Sequence, residues 1–167
     1  MPEVKTPSYE NTIAYEGLID VKETYQLLNK WFKDHSYDSN EVFNMEQVYE
    51  DFKQIIIETR PYKKISDYAK IEFKIEIAFS KLKEQIIERD GIKQKLMRGE
   101  ANFVFTTYLV TDREGMWTSK PAYFLLRNIM ERFLYRTYIS RYEDEAIKDK
   151  NKVMREIKSF LNMEKLK

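Results

Sequence analysis

The sequence predicts an α+β fold: a mainly antiparallel sheet with a long bent hairpin, one N-terminal helix and two C-terminal helices. Three observations carry this expectation. Residues 71–79 alternate apolar with charged at period two, residues 21–32 repeat apolar at helical spacing, and Asp90-Gly91 stands between two long runs rich in β-formers. The 167 residues suit one domain, and 43% hydrophobic with 14% aromatic content is enough to build a core.

Taken in chain order, residues 1–16 hold Pro2 and Pro7 with little periodicity and read as an extended arm, ahead of a single domain over 17–162 and a frayed tail over 163–167. Asp20-Val21-Lys22-Glu23 has the form of a capping box. Behind it Val21, Tyr25, Leu28 and Phe32 form an apolar stripe widened by Leu27 and Trp31, so a helix ends near His35. A histidine there is favoured by the negative end of the helix dipole, which needs no catalytic role.

Residues 41–60 fit two patterns. Met45, Val48, Tyr49, Phe52, Ile55 and Ile56 make a helical stripe, but Ile55-Ile56-Ile57 followed by Thr59 and Pro61 favours two strands joined near Glu50-Asp51. From residue 70 the alternation is plain: Ile71, Phe73, Ile75, Ile77 and Phe79 on one face, Lys70, Glu72, Lys74 and Glu76 on the other. Those carboxylates read as a solvated face carrying opposite charges rather than an acid/base or metal pair.

Asp90-Gly91 suits a two-residue hairpin turn, since a type I′ turn needs two residues tolerant of positive φ. With those residues at its centre, Phe73 faces Tyr108 and Ile77 faces Val104, which puts Phe103 and Phe105 on the charged face. A one-residue shift instead places Ala101, Phe103, Phe105 and Thr107 beside Phe79, Ile77, Ile75 and Phe73. Burial therefore demands a one-residue bulge between Ser80 and Gly99. A straight strand over residues 70–89 would also run about 65 Å, against a radius of gyration of about 15 Å for a compact chain of this size, so the hairpin bends or projects. Leu82 and Ile86, four apart, leave a helical turn over 81–89 as the alternative.

Asp112-Arg113-Glu114-Gly115 reads as a turn, and Ser119 with Pro121 marks a helix start. That helix carries Ile129, Phe133 and Tyr138 among Arg127, Arg132, Arg136 and Arg141. Ser140-Arg141-Tyr142-Glu143 resembles a second capping box, which sets a break near Ser140. Glu143-Asp144-Glu145 then lies in the first turn of the last helix, whose buried stripe is Ala146, Val153, Ile157 and Phe160.

Several of these pieces, in order, form a set: Gly17-Leu18-Ile19-Asp20-Val21-Lys22, Asp67-Tyr68, Asp90-Gly91, Gly99-Glu100, Asp112, Gly115, Trp117 and Glu156-Ile157-Lys158-Ser159-Phe160-Leu161. Over roughly residues 17–162 this set resembles a group of small archaeal proteins of uncharacterised function. The resemblance implies an intracellular archaeal α+β protein with helices flanking a long-stranded sheet, and it brings no activity, ligand or site residue.

The chemistry the sequence excludes is broad. With no cysteine and one histidine, disulfide scaffolds, thiol catalysis, iron–sulfur clusters and zinc sites built on Cys or several His are out. There is no phosphate-binding Gly-rich loop, no G-x-S-x-G elbow and no H-E-x-x-H helix. No cofactor is expected. A metal-dependent or carboxylate-based enzyme needs only some of the 28 acids, but no pair of them is marked out. The N-terminus lacks the layout of a signal peptide and no stretch approaches ~18 uninterrupted apolar residues, so a cytoplasmic protein is expected.

Charge is polarised: residues 1–60 hold 6 basic and 12 acidic side chains, and 61–167 hold 23 and 16. Either the two parts neutralise each other in the fold or they face different partners. The basic excess gathers at Lys93, Lys95 and Arg98 near the hairpin tip and at Arg127, Arg132 and Arg136 with Tyr135 in the first C-terminal helix. Tyr and Arg anchor protein interfaces, and they also stack on bases and neutralise phosphates. Arginine steps of 5, 4 and 5 do not hold one narrow helical stripe, which weakens the nucleic-acid case. An interfacial membrane helix over 121–139 has the same pattern as a helix covering a sheet, and the latter is preferred. The expectation is a non-enzymatic binding or adaptor protein that joins a larger intracellular assembly, with RNA or DNA binding as the alternative.

Overall fold

The computed structural model describes residues 3–66, 69–89, 91–111 and 136–165. Strands β1 (Glu3–Ile19), β2 (Glu41–Val48), β3 (Lys53–Thr59), β4 (Tyr62–Lys64), β5 (Ala69–Arg89) and β6 (Ile92–Thr111) form one six-stranded antiparallel sheet. Its order is β1-β6-β5-β3-β2, with β4 also paired to β5. Helix α1 (Val21–Asp34) follows β1, and helix α2 (Arg136–Lys165) follows β6; these are the helices among the described residues.

The alternation over β5 does what period two requires. Ile71, Phe73, Ile75, Ile77 and Phe79 are buried together with Ala101, Phe103, Phe105 and Leu109 of β6, on the face that both helices cover. From α1 come Leu28, Trp31 and Phe32; from α2 come Ala146, Val153, Ile157 and Leu161. Phe32, Tyr37 and Phe73 meet as a triangle of rings with centroids 5.4 Å apart. The opposite face keeps its charges paired along the strand, Lys70 to Glu72 at 2.6 Å and Lys74 to Glu76 at 2.9 Å.

The β5–β6 register shifts by one residue between Ser80 and Lys83, as burial of the phenylalanines demands. Phe79 pairs with Ala101 and Ile77 with Phe103, while on the tip side Lys83 pairs with Arg98. The extra residue belongs to β5, where Lys81 takes φ +54°, and Gly99 lies opposite. Residues 81–89 are strand, so the helical-turn alternative fails. Gly91 has φ +76°, the sign a type I′ turn needs.

Asp20 caps α1 by accepting the Glu23 backbone N–H at 2.8 Å, and the helix ends at His35. Residues 41–60 are the two strands β2 and β3 joined across Glu50-Asp51. Past Thr59 the chain stays alongside β5: the Phe73 N–H donates to the Pro61 carbonyl at 2.9 Å, and Tyr62 pairs with Glu72.

Two expectations change. The N-terminal segment is not a free arm but β1, an edge strand paired with β6 from Glu3 to Ile19, with register irregularities on both sides of Ser8. Those irregularities erase the alternation that would have marked it as a strand. The expected helix break near Ser140 is also revised: α2 runs unbroken through Ser140 to Lys165. Ile139, Tyr142, Ala146, Val153 and Ile157 pack continuously on the core, so tertiary burial overrides the local capping signal. The turn at 112–115 and the helix start at Ser119 and Pro121 lie outside the described residues.

Candidate interaction surface

The sheet's neighbours stop short of the β5–β6 tip. β1 reaches β6 only as far as Ile19 opposite Met97, and β3 reaches β5 only as far as Lys53 opposite Leu82. Beyond these points residues 83–89 and 92–96 pair only with each other among the described residues, a two-stranded ribbon projecting from the sheet. Such a ribbon has little of its own to bury. Leu96 at its base is buried, at 6% exposure, but toward the tip Ile86 is 70% and Ile92 64% exposed.

Pairing parity sorts its side chains. Glu84, Ile86 and Glu88 share a face with Met97, Lys95 and Lys93, whereas Lys83, Gln85 and Ile87 share the other with Arg98, Leu96 and Gln94. The three tip cations are therefore divided: Lys93 and Lys95 lie on one face and Arg98 on the other. Lys95 is also partly neutralised, 2.8 Å from Glu84, whose carboxyl its ammonium holds below the usual range. The Arg98 Nε donates to the Gln85 side-chain oxygen at 2.8 Å. At the ribbon's base Lys81 and Glu100 pair at 2.6 Å, each shifting the other toward its charged form.

Arg127, Arg132 and Tyr135 lie outside the described residues, and Arg136 opens α2. Attraction between the two parts acts through proximity, as of Glu58 on Lys74 and of Glu16 on Lys81, rather than through direct ion pairs among the described residues. Among the described residues every side-chain ion pair joins two residues within 1–60 or two within 61–167, such as Lys53 with Glu46 and Lys63 with Glu145.

Polar groups buried under α2 escaped sequence reasoning. The Tyr37 hydroxyl donates to Asp149 Oδ2 at 3.0 Å, with Asp149 only 5% exposed. Burial first, then Asp149, pushes the Tyr37 phenol far above its usual range. Lys63 pairs with Glu145 at 3.0 Å and sits over the Tyr37 ring. One residue further along α2, Lys150 is 4% exposed and donates to Ser8 Oγ and Asn11 Oδ1; burial lowers its pKa. These pairs are 82 to 142 positions apart in the chain, so no spacing could have announced them. Each is already bonded inside the fold, which makes them a clasp between α2 and the sheet. Arg141, Asp144, Lys148 and Lys152, together with the clasp residues Glu145 and Asp149, line a concavity of about 410 Å³ with mixed charge.

His35 stacks on Trp31 with ring centroids 3.9 Å apart, and its Nδ1 lies 2.8 Å from the Trp31 carbonyl. It is an end-of-helix residue. Among the described residues no group of three or more His, Cys, Asp or Glu is placed to hold a metal ion, and no helix is long and apolar enough to cross a membrane.

A second open feature is β2. All of its residues but Met45 are exposed, including Val42, Phe43 and Val48, and Tyr49 beyond it is exposed as well. The apolar residues of 41–48 mark a strand but carry no signal that separates an exposed strand from a covered one. Comparison with known protein families and with curated proteins found no match for the chain.

Proposed function

We propose that this protein is a non-enzymatic binding or adaptor protein that joins a larger assembly through protein–protein contacts, with the β5–β6 ribbon as its reaching element. The observation that carries this reading is a projecting ribbon with exposed isoleucines at Ile86 and Ile92, where no sheet neighbour extends. Apolar side chains on a projection cost solubility and add nothing to the core, whereas burial against a partner is worth about 25 cal/mol per Å² of apolar surface.

A protein partner suits the ribbon better than a nucleic acid does. A phosphate backbone calls for several free cations on one surface. The ribbon divides its cations between two faces and pairs Lys95 with Glu84, and each face carries one exposed isoleucine, Ile86 beside Lys93 and Lys95 and Ile92 on the side of Arg98.

The test replaces residues 86–95 with Asn-Gly, which keeps the Gln85–Leu96 pair and closes it with a two-residue turn. The shortened chain should fold with an unchanged helical circular-dichroism signal and lose the proteins that the full chain captures from its own cells. Retained capture would sink the ribbon's role. Binding to a mixed nucleic-acid pool that weakens steeply with salt would instead favour the RNA or DNA alternative.

A further inference from the structure

Among the described residues the sheet has two outer edges, β1 and β2, and they are built differently. β1 holds Pro7, the charges Lys5, Glu10 and Glu16, and register irregularities on both sides of Ser8. These are the devices that discourage edge-to-edge pairing. β2 has no proline, carries only Glu41 and Glu46 as charges, and runs in regular register from Phe43 to Val48.

The backbone direction of β2 follows from its bonds. The Tyr49 N–H donates to the Phe52 carbonyl and the Arg60 N–H to the Asn40 carbonyl, both at the turns of the same ladder. With the single irregularity between Glu41 and Phe43, alternation turns Gln47 and Met45 toward β3 and leaves the N–H and C=O groups of Asn44, Glu46 and Val48 facing outward.

We infer that β2 is a dimerisation edge, and that its occupant is β2 of a second copy of this chain, paired antiparallel about a two-fold axis at Met45. A two-fold contact must be self-complementary, and opposed residues must share a face. Centring on Met45 meets both conditions. Met45 opposes Met45, Phe43 opposes Gln47, and Asn44 opposes Glu46, so no carboxylate faces another; within the chain Asn44 donates to Glu41 at 3.4 Å and Glu46 pairs with Lys53 at 3.6 Å, both exposed contacts. Asn44 and Glu46 exchange their outward backbone groups with the other copy, forming four hydrogen bonds. Centring on Glu46 instead would oppose two carboxylates. On the face away from the helices Phe43 and Met45 continue an apolar strip with Ile56, to which Met45 is paired, and the second copy extends that strip.

This contact does not involve the ribbon, so its failure and that of the adaptor reading are separable. Sedimentation equilibrium of the full chain over rising concentration should show a monomer–dimer equilibrium. Met45→Lys and Met45→Glu should each weaken dimerisation at least about tenfold, because like charges then meet on the axis. An equimolar mixture of the two should restore a dimer. Glu46→Pro should weaken it as well without disturbing the β2–β3 ladder, since the lost N–H faces outward. A wild-type chain that stays monomeric throughout, or a Met45→Lys chain that dimerises as well as wild type, would overturn the inference.

Discussion

Gly99 lies so close to Ser80 that a Cβ built on it would sit 2.7 Å from the Ser80 carbonyl oxygen and 2.9 Å from Leu82 Cδ2. The clash is with backbone at the bulge, the point where the hairpin changes register. Gly99→Ala should therefore cost about 1–3 kcal/mol, as overpacking does, read as a lower urea midpoint at unchanged slope. Across the ladder Lys81 holds φ +54°. Lys81→Val should destabilise by about 1–2 kcal/mol because a β-branched residue resists that conformation, whereas Lys81→Gly should not. An unchanged midpoint for both Gly99→Ala and Lys81→Val would mean that the bulge is not where the register turns.

The bulge was legible because two independent signals conflict. The Asp90-Gly91 turn fixes one parity, the burial of Phe103 and Phe105 fixes the other, and only an extra residue reconciles them. The same parity, applied to Lys93, Lys95 and Arg98, separates them onto two faces; composition alone had grouped them. β1 was not legible as a strand, because its irregularities around Ser8 destroy period two and its partner β6 lies about 90 residues away. The Ser140 capping box was legible and misleading: a local motif loses when a continuous apolar stripe packs on both sides of it. The clasp through Tyr37, Asp149 and Lys150 leaves no trace in local pattern, since it depends on which side chains the finished fold brings together.

Tyr37 gives the clasp a pH signature. Its phenol is raised by burial first and by Asp149 second, so the folded state holds that proton more tightly than the unfolded chain does. The unfolded chain then binds fewer protons above about pH 10, and stability falls as pH rises from there. Tyr37→Phe should remove this contribution and flatten the alkaline limb of a stability–pH curve. At neutral pH the same substitution withdraws a donor from buried Asp149 and should cost about 1–3 kcal/mol. Equal alkaline slopes in the two proteins would count against the buried bond.

Lys150 has the opposite sign. Burial lowers its pKa, so the folded chain releases the proton before the unfolded one, and stability from this group rises with pH toward about 10.5. Lys150→Met abolishes the titration. Chemical denaturation of both chains from about pH 8 up to about pH 10.5 should show the wild type gaining relative to the variant as pH increases. A gap that is constant with pH would show that the Lys150 ammonium is as well solvated in the fold as outside it.

The isoleucines at the ribbon tip and the leucine at its base differ in what they do for the fold. Leu82 is 1% exposed within the main core, while Ile86, four residues on, is largely in water. Leu82→Ala should cost about 2–5 kcal/mol through lost transfer energy and a residual cavity. Ile86→Ser and Ile92→Ser remove almost no buried surface and should each shift stability by no more than about 0.5 kcal/mol. If the tip substitutions instead cost as much as Leu82→Ala, the ribbon would be held against the chain's own surface, and its isoleucines would not be free for a partner. Neutral tip substitutions that also abolish partner capture would separate the residues that fold this chain from those that let it reach.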